Sequence, residues 1–342
     1  MNAYQRIATE EAWLPAELLE RYARMLEKDG DAEPGFRSMW GFWGSRSRSG
    51  PLAERIQDLG ERRLADMDAA GIHRQVIFLA PPGVQVFDAA TAVSLATSCN
   101  DQLAEGVARH PQRFAGLAAV APQNAAAAAR ELERSVRHLG LKGAVINSHT
   151  QGEYLDDSKY WEIFAAAEAL QVPIYLHPSY LPSSMVQPFL PRGLESGMWG
   201  FAAETGLHAL RIIAAGVFDR FPKLQLVLGH LGEGLPFWFY RIDYLHGVMS
   251  RGGRYPGVKP LERKPSDYLR QNFHYTTSGV AWEPAVMFLH SVIGAGRLMY
   301  AMDYPFQFVP EEVRILEGLP LSDEQKKMFF EGNAVSLFRL HG

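Results

Sequence analysis

Cysteine is nearly absent: Cys99 stands alone in 342 residues, which excludes an intramolecular disulfide and a thiolate-rich metal site. Lying in a helix-like run, Cys99 reads as a small buried side chain rather than a nucleophile. Uninterrupted apolar runs of about 18 residues, the length of a spanning helix, are missing. The first residues, Met1-Asn2-Ala3-Tyr4-Gln5-Arg6, lack the apolar core of a secretory signal. Together these absences predict a soluble, cytoplasmic protein without a membrane partner. There is no basic excess either. The formal net charge is −4, and the basic residues are scattered except for Arg46, Arg48 and Arg55, so nucleic acid is not an expected partner. No Gly-x-Gly-x-x-Gly follows the first predicted strand, which removes the fingerprint of a dinucleotide-binding, doubly wound sheet.

What is present is a large apolar fraction, 47%, in a chain long enough for one α/β barrel. Short apolar runs alternate with helical patterns, as repeated βα units require. Eight candidate strands are Arg6–Thr9, Gln75–Ala80, Ala115–Val120, Gly143–Asn147, Pro173–Leu176, Leu224–Gly229, Phe273–Thr277 and Arg297–Met302. Ile163, Phe164, Ala167 and Leu170 share one helical face before the fifth strand, and Leu207, Leu210, Ile213 and Val217 do so before the sixth. Gly71, Pro222 and Gly296 fall where αβ turns need a breaker. The expected fold is a (β/α)₈ TIM barrel, a single domain over 1–342. Two stretches exceed ordinary loop length: Glu33 to about Pro51 after the first strand, with Trp40, Phe42 and Trp43, and Pro178–Gly200 after the fifth. Both belong at the C-terminal face of such a barrel, where active sites are built.

Four strand ends carry metal-type side chains. The first ends in Thr9-Glu10-Glu11-Ala12 and the fifth in Tyr175-Leu176-His177-Pro178. The sixth ends in Val227-Leu228-Gly229-His230, followed by Leu231-Gly232-Glu233, and the eighth in Met302-Asp303-Tyr304-Pro305. Each alone has a bland explanation: a solvated acidic pair, a hydrogen-bonded histidine, a turn-forming aspartate. In a barrel these ends converge on one axis, so Glu10, His177 and Asp303 can meet a single ion. Two anionic oxygens and a neutral nitrogen balance a divalent charge, and an oxygen-rich set without thiolate suits Mn²⁺ or Mg²⁺, with Zn²⁺ also compatible.

Those positions resemble the amidohydrolase superfamily, in its decarboxylase branch related to aminocarboxymuconate-semialdehyde decarboxylase. The strings Ile7-Ala8-Thr9-Glu10-Glu11-Ala12, Asp58-Leu59-Gly60-Glu61-Arg62-Arg63, Asn147-Ser148-His149-Thr150-Gln151-Gly152, Ser278-Gly279-Val280-Ala281-Trp282-Glu283-Pro284 and Tyr300–Pro305 look most similar to 5-carboxyvanillate decarboxylases. Related γ-resorcylate and 2,3-dihydroxybenzoate decarboxylases share the framework and fewer of these strings. The departures are informative. Where many superfamily members have His-x-His on the first strand, Glu10 and Ala12 stand. The nearby Lys142 precedes the fourth strand instead of ending it, so a bridged two-metal site is not expected.

The resemblance implies one manganese ion, a small aromatic carboxylate as substrate, and loss of CO₂ in lignin-derived aromatic catabolism. It implies Asp303 as ligand and proton donor, His230 as alternative acid or carboxylate partner, and Arg241 as a carboxylate-binding arginine. Arg48 matches a second such arginine; because this loop is about two residues shorter than in those relatives, Arg46 is the competing candidate. A homodimer or homotetramer is likewise implied. His149 and Glu204 are secondary candidates with structural readings ahead of functional ones. The competing function is a lactonase or amidase of the same barrel, since a water on the ion serves both chemistries.

Overall fold

The computed structural model describes residues 4–27, 32–48, 50–252 and 255–340, and for residues 42–48 the backbone alone. Parallel strands follow in chain order: β1 (Ile7–Trp13), β2 (Arg74–Leu79), β3 in two pieces (Phe114–Gly116 and Ala118–Ala119), β4 (Ala144–Asn147), β5 (Ile174–His177), β6 (Leu226–Leu228), β7 (Phe273–Thr276) and β8 (Leu298–Met299). The two pieces of β3 join the halves of the sheet across Leu117, whose N–H donates to Ile77 O at 2.9 Å while Ala118 N–H donates to Gly143 O at 2.8 Å. The seam between β8 and β1 closes through Thr9 N–H to Tyr300 O at 3.1 Å and Ala12 N–H to Tyr304 O at 2.6 Å. The protein is a (β/α)₈ barrel.

Strand periodicity sorts the apolar side chains into two layers. Ile7, Val76, Phe78, Leu117, Val145, Tyr175, Val227 and Met299 fill the barrel interior, where Ala334, Phe338 and Leu340 of the C-terminal segment pack on them. Ala8, Ile77, Leu79, Ile146, Ile174, Leu176, Leu226 and Leu228 face the helices.

The alternation breaks once, usefully. Ala8 pairs with Gln75 but Glu11 with Ile77, so β1 carries one extra residue, a bulge. The extra residue lets Ile7 and Glu10 both point inward, and it puts Glu11 on the opposite side. For the same reason β1 runs well past the predicted Thr9. Conversely, β8 stops at Met299, short of the predicted Met302, because the amides of Met302 and Tyr304 donate to the Glu11 carboxylate instead of a ladder.

Three other expectations need correction. The segment expected as a loop from Glu33 is a helix, Pro34–Arg48, with Phe36, Met39 and Trp40 buried. Of the predicted face Ile213 and Val217 are buried, but the helix Gly200–Ala214 leaves Leu207 42% exposed and buries Glu204, Thr205, His208, Ala209 and Ile212. That polar face is tolerated because hydrogen bonds from the β4 end meet it: Ser148 Oγ lies 3.1 Å from His208 Nδ1. The turn near the predicted Gly296 breaks at Gly294, which carries the positive φ of 82°. Gly71 does cap its helix, at φ 69°. No helix among the described residues is long and apolar enough to cross a membrane.

Candidate metal centre and catalytic cavity

Glu10, His177 and Asp303 come from β1, the end of β5 and the segment after β8, and one donor atom of each lies within 4.8 Å of the others. Glu10 is fully buried. Its Oε2 accepts hydrogen bonds from Tyr175 OH and from Thr276 Oγ1, the latter at 2.8 Å, and its Oε1 has no hydrogen-bond partner. Burial works to raise its carboxyl, but the His230 imidazole and the Tyr175 hydroxyl are among the groups that overcome it and hold it below its ordinary value. A buried carboxylate oxygen with an idle lone pair is costly unless a cation meets it.

His177 supplies the second donor in a fixed tautomer. Its Nδ1 lies 2.7 Å from Pro178 O, so that nitrogen carries the proton and Nε2 offers its lone pair, 3.4 Å from Glu10 Oε1. The ring packs against Phe78 at a centroid separation of 5.0 Å, which limits its rotation. Asp303 sits at φ 70°, in the left-handed region that is uncommon outside glycine and that aspartate enters more readily than most side chains. Burial pushes its carboxyl up to about 8, with Glu10 and Glu233 adding to the shift and His230 opposing it. The unpartnered Oε1, the outward-facing Nε2 and the oxygen-rich donor set fit a single divalent cation. Lys142, half-buried before β4, is not among them.

His230 stands beside this group, with Nε2 3.7 Å from Glu10 Oε1 and Nδ1 2.8 Å from Glu233 Oε1. Burial acts to lower it, and the Glu233 and Glu10 carboxylates reverse that, bringing it to about 10. The chain bearing it is contorted: His230, Leu231 and Glu233 have φ of 50°, 57° and 54°. Backbone in this sparsely populated region is held only by a surrounding that over-determines it. Gly229 makes the approach of β6 to Glu10 possible, since a Cβ there would lie 2.6 Å from Glu10 Oε2.

His177, Asp303 and His230 line a cavity of about 550 Å³, walled by Trp40, Met198, Trp199, Phe201, Val280 and Phe306 with Gln307 as a further polar point. Both long segments singled out in the sequence contribute to it, through Met39–Trp40 and Ser196–Ala202. Arginine and lysine are absent from the described wall. Arg241, expected as a carboxylate-binding arginine, is exposed on the helix Phe239–Gly252 and is not among the residues lining this cavity. The side chains of Arg46 and Arg48 lie outside the described residues. His149 is occupied on both ring nitrogens, by Tyr180 O at 2.8 Å and Gly152 N–H at 3.0 Å, and Glu204 is sealed in the helix interface; neither lines the cavity.

Sequence reasoning missed Tyr175, Thr276 and Glu11. Tyr175 was findable, being two residues before His177 on one strand and hence on the same face. Glu11 was not, because the bulge that turns it away from Glu10 has no sequence signature.

An eight-stranded parallel barrel with a mononuclear donor set at its C-terminal face defines a metal-dependent TIM-barrel protein. The amidohydrolase family profile matches residues 29–340, and the chain belongs to that family. It is 38% identical over 298 residues to a γ-resorcylate decarboxylase of Polaromonas sp., covering 85% of this chain and 90% of the relative. The crystal structure of 5-carboxyvanillate decarboxylase from Novosphingobium aromaticivorans, complexed with manganese and 4-hydroxy-3-methoxy-5-nitrobenzoic acid, superposes with a TM-score of 0.95 at 47% identity, covering 98% of this chain and 96% of that one. A dihydroxybenzoic acid decarboxylase from Polaromonas sp., with manganese and 2-nitroresorcinol bound, gives a TM-score of 0.85 at 34% identity, with 98% and 97% covered.

Proposed function

We propose that this protein removes CO₂ from a hydroxybenzoate without oxidation, and that 5-carboxyvanillate, giving vanillate, is its substrate in the breakdown of lignin-derived aromatics. The protein is an enzyme of the metal-dependent carboxy-lyase class. The observation that carries the reading is the Glu10–His177–Asp303 donor set, two of whose members, His177 and Asp303, line a cavity walled by aromatic and apolar side chains. A divalent cation held there, manganese by preference, would act as a Lewis acid toward an ortho-phenolate and its neighbouring carboxylate.

The chain's own residues then have three tasks. Trp40, Phe201, Val280 and Phe306 hold the ring in an apolar slot and exclude water. The His230 imidazolium, charged through Glu233, anchors a carboxylate by a charge-assisted hydrogen bond. Asp303 delivers a proton to the ring carbon that bears the departing carboxylate. The C–CO₂ bond breaks, its electron pair restores the aromatic ring, CO₂ leaves, and Asp303 regains a proton from solvent. Protonation first avoids an aryl carbanion. Beside a cation the Asp303 carboxyl would be ionised, so this role requires Asp303 to take up a proton as the substrate binds.

A second carboxylate, such as that of 5-carboxyvanillate, calls for a cation, and Arg48 or Arg46 is assigned to it from the first long segment. Arg241, exposed and not lining the cavity of its own chain, would serve from a second copy. Self-association is supported by the exposed Phe237, Trp238, Tyr240 and Tyr244 around it, with Tyr240 84% exposed. A cytoplasmic homodimer or homotetramer of one 342-residue domain is the proposed form. The resemblance to γ-resorcylate decarboxylases makes a dihydroxybenzoate the second candidate substrate.

The test is to incubate the manganese-loaded protein with 5-carboxyvanillate, γ-resorcylate and 2,3-dihydroxybenzoate and follow CO₂ release. Turnover of 5-carboxyvanillate with the highest kcat/KM is expected. Hydrolysis of a lactone or amide without CO₂ from any hydroxybenzoate would sink the proposal in favour of a hydrolase.

A further inference from the structure

We infer that Glu11 is a positioning residue for the metal centre, setting the Asp303 carboxylate by gripping the backbone on both sides of it. The inference rests on the reading of Asp303 as a metal ligand. Met302 N–H donates to Glu11 Oε1 at 3.0 Å and Tyr304 N–H to Glu11 Oε2 at 3.3 Å. Between those amides Asp303 adopts φ 70°, a left-handed conformation uncommon outside glycine, beyond the end of β8 at Met299. Met302 and Tyr304 are buried, so both amides need an acceptor, and one carboxylate provides it for the pair.

Glu11 is itself anchored from behind. Gln75 Nε2 donates to its Oε2 at 3.2 Å. The fully buried Arg63 guanidinium donates to Gln75 Oε1 at 3.2 Å and to Ala12 O at 2.7 Å, and lies over the Tyr304 ring at 4.7 Å. Ala12 N–H in turn donates to Tyr304 O at 2.6 Å. The dipeptide Glu10-Glu11 therefore does two jobs from adjacent positions: Glu10 offers an oxygen to the ion, and Glu11 aims another ligand from the far end of the chain at the same point. Outer partners that orient metal ligands typically govern affinity by about 10–100-fold.

The experiment strips the protein of metal and titrates it with Mn²⁺, reading free Mn²⁺ by its paramagnetic resonance signal. Glu11→Gln keeps the side-chain volume but turns an amide N–H₂ toward one of the two backbone donors. A dissociation constant weakened by about 10–100-fold is expected, with the metal-free melting temperature held within a few degrees. An unchanged constant, within about twofold of wild type, would overturn the inference; so would lost affinity accompanied by a collapsed melting transition, which would mark Glu11 as a fold residue. Hydrogen exchange of the wild-type peptide 299–305 needs no variant: slow exchange in the metal-free protein is expected, and loop-like exchange refutes the grip. Asp303→Asn is run in parallel. If it binds Mn²⁺ like wild type, the ligand reading itself fails; if it loses Mn²⁺ while Glu11→Gln does not, the positioning role alone fails.

Discussion

Two clusters of histidine and carboxylate lie buried in this barrel, and they differ in what their nitrogen and oxygen atoms face. In the first, His177 and His230 each have one ring nitrogen fixed by a partner, while Nε2 of both points to the Glu10 oxygen that nothing else in the protein satisfies. In the second, between the β4 end and the helix Gly200–Ala214, both histidines are saturated. His149 is bound by Tyr180 O and Gly152 N–H, and His208 by Ser148 Oγ and Leu155 N–H. Burial drives His208 down to about 3, whereas carboxylates lift His230 to about 10. Residue type is the same in both places. Glu10 and Glu204 each keep one buried oxygen without a hydrogen-bond partner, but only beside Glu10 do His177, His230 and Asp303 line a cavity, and that separates a centre built for a ligand from one built to hold a helix on a barrel.

The largest expected effect breaks the first cluster. Asp303→Asn keeps the shape but removes both the anionic ligand and the proton donor, and a fall in kcat/KM on the order of 10³-fold or more is expected with the proposed substrate. His177→Ala should do as much by releasing manganese, read as metal content after gel filtration. Retention of either activity or metal by both variants would mean the cluster is not the centre. Next comes Gly229→Ala. A Cβ at 2.6 Å from Glu10 Oε2 has to push that carboxylate aside, and metal affinity is expected to drop by about 10-fold or more while the fold persists. A variant that binds Mn²⁺ as wild type does would show that Glu10 can give way freely.

How much of this was visible in the sequence follows from the same contrast. All eight strands were legible from apolar runs, because a parallel sheet covered on both faces demands continuous hydrophobic stretches. Glu10, His177, His230 and Asp303 were legible as strand-end residues converging on one axis. His149, also just past a strand end, looks alike in sequence; only its hydrogen bonds to Tyr180 O and Gly152 N–H tell it apart. Leu207 shows the opposite error: a helical stripe of leucines predicts burial, yet the face that meets the barrel is polar because Ser148 offers it a partner. Arg241 shows a third limit. A motif match carries a residue's identity but does not place it in the lining of its own chain's cavity, where Arg241 is not found.

For the second cluster the expected effects are on stability and leave turnover nearly intact. His149→Ala removes two hydrogen bonds and a ring that meets Tyr180 edge-on at 4.8 Å. The leftover Tyr180 O and Gly152 N–H lose their partners, at about 1–3 kcal/mol each if water does not replace it. A melting temperature several degrees lower is expected, with kcat within about threefold of wild type in the folded enzyme. A loss of activity as deep as that of Asp303→Asn would erase the distinction between the clusters.

The subtlest effect is a pH dependence that Glu204 alone would supply. Burial raises its carboxyl to about 8, with hydrogen bonds from Ser148, Tyr154 and Thr205 opposing and the Glu233 charge assisting. Its folded value thus lies above the unfolded one near 4.5. Between those values the folded state binds a proton that the unfolded chain has released, so stability declines as pH rises from about 4.5 to about 8 and is flat beyond either end. Glu204→Gln fixes the neutral form. The variant is expected to melt within about 1 °C of wild type at pH 4.5 and several degrees above it at pH 8. The same variant carries no expected change in manganese affinity, since Glu204 touches none of the donors. Parallel melting curves at both pH values would show that Glu204 is ionised in the fold, and that the second cluster hides a cation partner as the first does.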